Sequence, residues 1–396
     1  MPDYLAEAKE MFEYTQALRR DFHMHPELGL ELYRTAGIVA KELNELDIEV
    51  STGIAESGVI AILEGGKPGP TVLLRFDMDA LPIIEETGAV YASINEGLMH
   101  ACGHDGHTAI GLTVARLLHN HRDELPGTVK LVFQPGEEGQ GGGERMVAEG
   151  VLENPRPDYS LALHIWNDYP LGSVSATAGP VMAGSQTFII TVEGKGAHAA
   201  APHQGVDPVL ACAQIVSALQ SIISRSIDPL ESAVVTVTKI HAGEAFNVIP
   251  SEAVISGTIR TFKPLVREYV LKHFYQIVEG VAESLGCRAI IEINEITPVL
   301  VNNADVSSRV QSVVRTMFPD DILYTDARTL GAEDMAYMLE EIPGCYFFVG
   351  SSNPRKGLGY GHHHPKFDFD EDALPRGAAL MAAAAVDLLN SSNGSA

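Results

Sequence analysis

The sequence predicts a two-part α/β chain: a discontinuous α/β domain over residues 1–180 and 295–396, interrupted by an inserted α+β domain at 181–294. Three observations lead there. Short apolar runs alternate with a helix-like segment through the first part, the pattern of a largely parallel sheet covered by helices. After Ala178-Gly179-Pro180 the pattern changes to strand, helix, two strands, helix, strand. Beyond that, α/β character resumes, and 396 residues are more than one hydrophobic core usually serves.

Taken in order, Leu5, Ala8, Met11, Phe12 and Leu18 fall near helical spacing and predict one surface helix over 3–20, with a second over 35–46. Apolar runs at 59–63, 71–76, 129–133 and 161–165 read as strands, and 104–118 reads as a helix. In the insert, 186–193, 233–241, 253–262 and 288–294 read as strands, with helices over 207–225 and 264–285, the second starting on Pro264. This βαββαβ order is the split-βαβ, ferredoxin-like unit, which can be inserted whole into another domain and here is expected to act as a lid. A strand at 344–350 and an alanine-rich helix at 372–390 close the chain.

Composition narrows the function. With 52 acidic and 27 basic residues the formal charge is −25, a field that repels nucleic acid and anionic membranes. Four scattered cysteines do not form a disulfide framework. The N-terminal stretch mixes charges without an apolar signal core, and no apolar run reads as a membrane span, so a cytoplasmic protein is expected.

Four segments carry chemistry. In 99–107, His100, His104 and His107 with Cys102 stand where strand gives way to helix, donors suited to borderline metal ions, though a loop of histidines around a buried cysteine would look the same. Glu137 and Glu138 follow the strand 129–133, at the strand end where α/β sheets place ligands. One carboxylate there can bind metal while the other serves as base; a solvated acidic loop is the plainer alternative. His164 in the strand 161–165, a type of residue more often satisfied in a core than bound to metal, and the run His362-His363-His364 are the further candidates. The glycines at 139–143 lack the Gly-Lys-Ser/Thr of a phosphate loop and are expected to let backbone approach a metal closely.

Together the segments FHMHPELGLEL (22–32), RFDMDALP (75–82), HACGHDGHTA (100–109), FQPGEEG (133–139), ALHIW (162–166), GKGAHAAAPH (194–203) and NVIP (247–250) resemble the M20 metallopeptidase family, in its amidohydrolase branch of aminoacylases, hippurate hydrolases and auxin-conjugate hydrolases. The resemblance implies a di-metal aminopeptidase-like catalytic domain with a ferredoxin-like lid and dimerisation domain. It implies two divalent metal ions per subunit, zinc or manganese with cobalt or nickel as further candidates, held by Cys102, His104, Glu138, His164 and His363. The family pattern His-x-Pro-x-Phe selects His363 from its run. By the same resemblance Glu137 is the base toward the attacking water, Asp77 and Asp79 orient the histidine ligands, and His198 stabilises the oxyanion, often in a dimer partner's site. Asn247 and Arg260 hold the substrate carboxylate, although Arg260 could equally be a strand-end ion-pair partner.

The function so implied is hydrolysis of the amide bond of a small-molecule N-acyl amino acid by a homodimer or higher homo-oligomer joined through the lid. A dipeptidase or carboxypeptidase using the same centre is the neighbouring alternative. A non-catalytic metal-binding protein on this fold is the distant one.

Overall fold

Most of the apolar runs that read as strands line up in a single sheet. The structure, a computed structural model, describes residues 2–391. Its contacts divide it into two units: one runs to Val181 and includes Val301–Arg328 and the chain from Asp334 on, and the other holds Met182–Leu300 with Thr329–Glu333.

In the first unit eight strands lie in the order Glu49–Ile54, Gly58–Glu64, Pro126–Gln134, Lys67–Asp77, Tyr159–Pro170, Gly344–Ser352, Ser173–Ser175, Ile322–Tyr324. The four central strands are parallel, while both flanks carry antiparallel pairings, so the sheet is mixed rather than largely parallel. Parallel strands end on the same edge. Asp77 pairs in register with Gln134, and His164 with Phe348, which gathers the chemistry at the carboxyl ends of neighbouring strands.

The helix His104–Asn120 packs on the central strands and is buried from His104 through Ala115. Beside it lies Ala373–Leu389, buried throughout except at Arg376 and Asp387. Both sit in one continuous apolar core with Phe76, Phe133, Leu163 and Phe347. The helix expected over 3–20 is two helices, Tyr4–Glu10 and Phe12–Met24, parted at Met11. The second is no surface helix: Arg19, Phe22 and His23 are wholly buried.

The second unit is the expected ferredoxin-like sandwich. Its four antiparallel strands lie in the order Ala233–Ala242, Glu252–Thr261, Gly184–Glu193, Arg288–Thr297, so second, third, first and fourth in chain order. Phe188, Ile190, Ile255 and Ile259 face Ile215, Leu219, Phe274 and Val278 of the helices Pro208–Ser221 and Pro264–Ser284 in a separate apolar core. Contrary to the hydropathy reading, Pro208–Ser226 is long and apolar enough by length and composition to cross a membrane. Its buried side, Ala211, Cys212, Ile215 and Leu219, belongs to this core.

Candidate metal centre

Local turns bring the donors together. Gly103, with φ +90°, caps the helix His104–Asn120, a conformation glycine adopts without strain. It leaves Cys102 just outside the helix and His104 on its first turn. Glu137 and Glu138 leave the sheet after the strand Pro126–Gln134, and His164 lies within its neighbour Tyr159–Pro170.

Ligand atoms within 4.8 Å of one another then form four overlapping sets: Cys102, His104 and His164; Cys102, Glu138 and His363; His104, Glu137 and Glu138; and Asp77, His104 and His107. Cys102 Sγ is 3.4 Å from His164 Nε2, and His363 Nε2 is 3.2 Å from Glu138 Oε1. The tautomers suit a metal. His104 donates from Nδ1 to the carbonyl of Asp79 at 2.9 Å, leaving the Nε2 lone pair buried and without a hydrogen-bond partner among the described residues. His164 likewise donates from Nδ1 to its neighbour Ile165's carbonyl at 2.6 Å, turning Nε2 toward Cys102. Buried polar atoms without partners are costly, and a cation supplies the missing one.

Electrostatics agree. Burial works against a charged His104, yet the Asp77 carboxylate holds its pKa well above the usual range: a positive charge at Nε2 is favoured, so a metal ion there takes the place of a proton. Burial, then the Glu138 carboxylate, push the Cys102 thiol well above its usual pKa, so ionising it needs a cation nearby. Burial would raise Glu138, but His363 and His104 hold it lower. Burial and neighbouring imidazoles hold His164 well below its usual value, the neutral form a ligand needs.

The three consecutive histidines take separate places. His362 is half-buried, its ring 4.5 Å from that of Trp166 and its Nε2 accepting from the Asn167 N–H at 3.2 Å. His363 turns back with φ +64°, donating from its backbone N–H to Ala101 at 2.8 Å, and meets Glu138. A histidine in the left-handed region is strained backbone held by its surroundings, a frequent feature of functional sites. His364 stacks on Tyr360.

Asp79 accepts from the Glu138 N–H at 2.9 Å and lies 3.3 Å from His104 Nδ1, so it supports two donors at once. Asp77 accepts from His107 Nδ1 at 2.6 Å and pairs with Arg75 at 2.7 Å. Because the Ile165 N–H donates to His107 Nε2 at 2.9 Å, His107 carries its proton on Nδ1 and has no lone pair left for a metal. A Cβ on Gly142 would lie 1.7 Å from the carbonyl oxygen of Pro135, so its close approach is to the chain's own backbone.

In the second unit the short strand Ala197–His198 pairs with Val248–Ile249, and the Ala199 N–H donates to the Asn247 carbonyl at 3.0 Å. The fold thus sets His198 beside Asn247 across 49 residues of sequence, a neighbourhood that no local signal announces. Arg260 lies on the sheet face opposite the helices; burial alone lowers its pKa, and it has no carboxylate partner among the described residues. Sequence reasoning offered His107 as a metal donor, which its two hydrogen bonds rule out, and it missed the part that His107, Arg75, Gln134 and Asp334 play together. The first three stand inside motifs already singled out, whereas Asp334 had no signal of its own.

Residues 73–387 match the profile of Peptidase family M20/M25/M40. The chain is 38% identical over 374 residues to an N-acetyl-L-cysteine deacetylase of Bacillus subtilis, covering 94% of this chain and 88% of that one. It is 38% identical over 388 residues to thermostable carboxypeptidase 2 of Saccharolobus solfataricus, covering 97% and 98%. Among solved structures it is similar to the Bacillus subtilis YXEP protein, a dinuclear metal binding peptidase from the M20 family, with a TM-score of 0.85, 33% identity and coverage of 97% and 100%.

Proposed function

The chain belongs to peptidase family M20/M25/M40, in its amidohydrolase branch, and from that premise we propose that this metal-dependent hydrolase cleaves the amide bond of N-acyl-L-amino acids, releasing a carboxylic acid and a free amino acid. The observation that carries the reading is the Glu137-Glu138 pair, whose carboxylates converge with His104 while Glu138 also meets Cys102 and His363. Two divalent ions would be held by Cys102, His104, Glu138, His164 and His363, and the thiolate favours zinc, with manganese second. Bound there, such ions polarise the acyl carbonyl and lower the pKa of water.

The chain's own residues do the rest. Glu137 takes the proton of the attacking water and returns it to the departing amine. Asp79 holds the donors His104 and Glu138 in place, while Asp77 acts through His107, which is bonded to the backbone next to His164. His198, beside Asn247, donates to the developing oxyanion. Arg260, without a carboxylate of its own among the described residues, receives the free α-carboxylate of the substrate with Asn247. The unit at 181–294 acts as lid and as the dimer contact of a cytoplasmic protein. A dimer in sedimentation supports that contact, and a monomer at working concentration removes the cross-subunit role of His198.

The carboxypeptidase among the relatives keeps the second reading open, because a peptide differs only on the acyl side of the scissile bond. A panel of N-acyl amino acids and dipeptides decides between them. The proposal expects free amino acid from the acylated substrates with dipeptides intact; the reverse pattern makes this a dipeptidase or carboxypeptidase.

A further inference from the structure

The loop that carries Glu137 and Glu138 is held at both ends by one carboxylate from far along the chain. Asp334 Oδ2 accepts from the side-chain amide of Gln134 at 3.1 Å, just before the loop, and from the backbone N–H of Gly143 at 2.8 Å, just after it. The helix Gly142–Ala148 starts from Gly141, which has no side chain to cap it, and Asp334 supplies that bond from 191 residues away. The fit is tight. A Cβ on Gly143 would lie 2.7 Å from the Asp334 carbonyl oxygen and 2.9 Å from its Cβ, so only glycine lets the two segments come this close.

From Gln134 the contacts run on through the sheet. Gln134 Oε1 accepts from Arg75 Nε at 2.9 Å, Arg75 Nη1 donates to Asp77 Oδ2 at 2.7 Å, Asp77 Oδ1 accepts from His107 Nδ1 at 2.6 Å, and His107 Nε2 accepts from the Ile165 N–H at 2.9 Å. All five side chains are at most 1% exposed. Buried polar chains of this kind hold one geometry because leaving any member unpaired is costly. This one starts at the Glu137-Glu138 loop, passes the helix of His104 and ends on the backbone next to His164. Between its two ends the loop turns on Gly136, Gly139 and Gly141, all with positive φ, and is tied by the Gly142 N–H to the Gly136 carbonyl at 3.0 Å and by the Glu138 N–H to Asp79 at 2.9 Å, so Asp334 fixes where that turn starts and stops.

We propose that Asp334 is a positioning residue for the metal centre, clamping the Glu137-Glu138 loop in register with His104 and His164 through Gln134, Arg75, Asp77 and His107. It acts through the loop, not on the reacting atoms, and the proposal rests on reading Glu137 as base and Glu138 as ligand. Asp334→Ala removes both bonds. Asp334→Asn keeps an oxygen that can accept them, and Gly143→Ala pushes the two segments apart while leaving the carboxylate intact.

The test titrates metal-stripped protein with zinc and measures kcat and KM on the acylated substrate that the wild type cleaves best. In Asp334→Ala, one of two zinc ions should bind about 10–100-fold more weakly while the other is unchanged. Turnover should fall by the same order in kcat, with KM within about threefold of wild type. Gly143→Ala should reproduce this, and Asp334→Asn should recover most of it. Should Asp334→Ala fail to fold, the other two variants carry the test. Both ions weakened alike in step with a falling melting temperature, or zinc binding unmoved in Asp334→Ala or Gly143→Ala, overturns the proposal. The zinc titration stands apart from the substrate: selective loss of one ion in a protein that cleaves no acylated substrate would sink the functional reading and leave the clamp in place.

Discussion

In the first unit Asp77, His104 and His107 are completely buried; in the second, His198 and Asn247 lie exposed and Arg260 half-buried. The first unit spends its hydrogen bonds on its charges: Asp77 is engaged by Arg75 and His107, and Arg19 by Asp105, Asp368 and Glu371. The core of the second is apolar and uses none of its candidate residues. The difference teaches where precision resides. Burial and pairing preset the geometry around Asp77, His104 and His107, while Glu137 and Glu138 are half-buried and His363 is exposed at the edge of that frame. Groups that receive a substrate can wait on the surface and be paired by the substrate itself.

The largest effect should come from the first unit. Glu137→Gln is expected to lower turnover by about 10²–10⁴-fold while zinc content stays at the wild-type level. Loss of zinc together with turnover would move Glu137 into the ligand set and blur the line between base and ligand.

Next comes the charge network beneath the centre. Arg19 sits at 2.8 Å from Asp105, 2.7 Å from Asp368 and 3.2 Å from Glu371 with no exposure of its own. Breaking a buried ion pair from one side leaves charges uncompensated, so Arg19→Met should cost about 3–5 kcal/mol in denaturant unfolding.

Stability should also show a basic limb. Burial alone would lower the pKa of His23, but its bond to Asp105 at 2.7 Å, the Asp105 charge and the contact to Glu85 outweigh burial and lift it to about 9. Below pH 6.5 His23 is protonated folded and unfolded, and its contribution is full; between 6.5 and 9 the unfolded chain loses the proton first and the contribution fades. The shift corresponds to about 3 kcal/mol. His23→Gln should flatten the fall of stability with pH above 6.5, and an unchanged limb would remove His23 as its source.

On the exposed side, Arg260→Ala should raise KM by about 10–100-fold with kcat little changed, as loss of a bidentate carboxylate contact implies. A drop in kcat instead would place Arg260 among the groups that act in the transition state. The smallest effect is expected at Arg288, whose exposed pair with Glu193 spans 3.3 Å. Arg288→Met should cost under about 1 kcal/mol, against several for Arg19→Met. Equal costs would break the comparison.

The same contrast governs what could be read in advance. The insert's alternation and its proline-started helix were plain in the sequence because an independent βαββαβ unit must carry its own pattern. The candidate donors Cys102, His104, Glu138, His164 and His363 stood in motifs whose residue types suit a metal, and the family resemblance selected them from their neighbours. The edge strand Glu49–Ile54 was missed because it is polar and mostly exposed. The helix Ala304–Met317 was missed although Asn303 caps it, since Val306, Val310, Val313 and Val314 suit strands as well. Arg19 looked like a surface residue because its three carboxylate partners lie 86, 349 and 352 positions away. Asp334 was illegible for the same reason: one carboxylate becomes a clamp only when the fold delivers Gln134 and Gly143 to it.

The central claim, amide hydrolysis by a metal centre built on these five donors, is tested most directly by stripping the protein of metal, restoring zinc and following free amino acid released from N-acyl amino acids. The account predicts inert stripped protein and activity that returns as zinc approaches two ions per chain. Stripped protein that cleaves these substrates as fast as restored protein would contradict it.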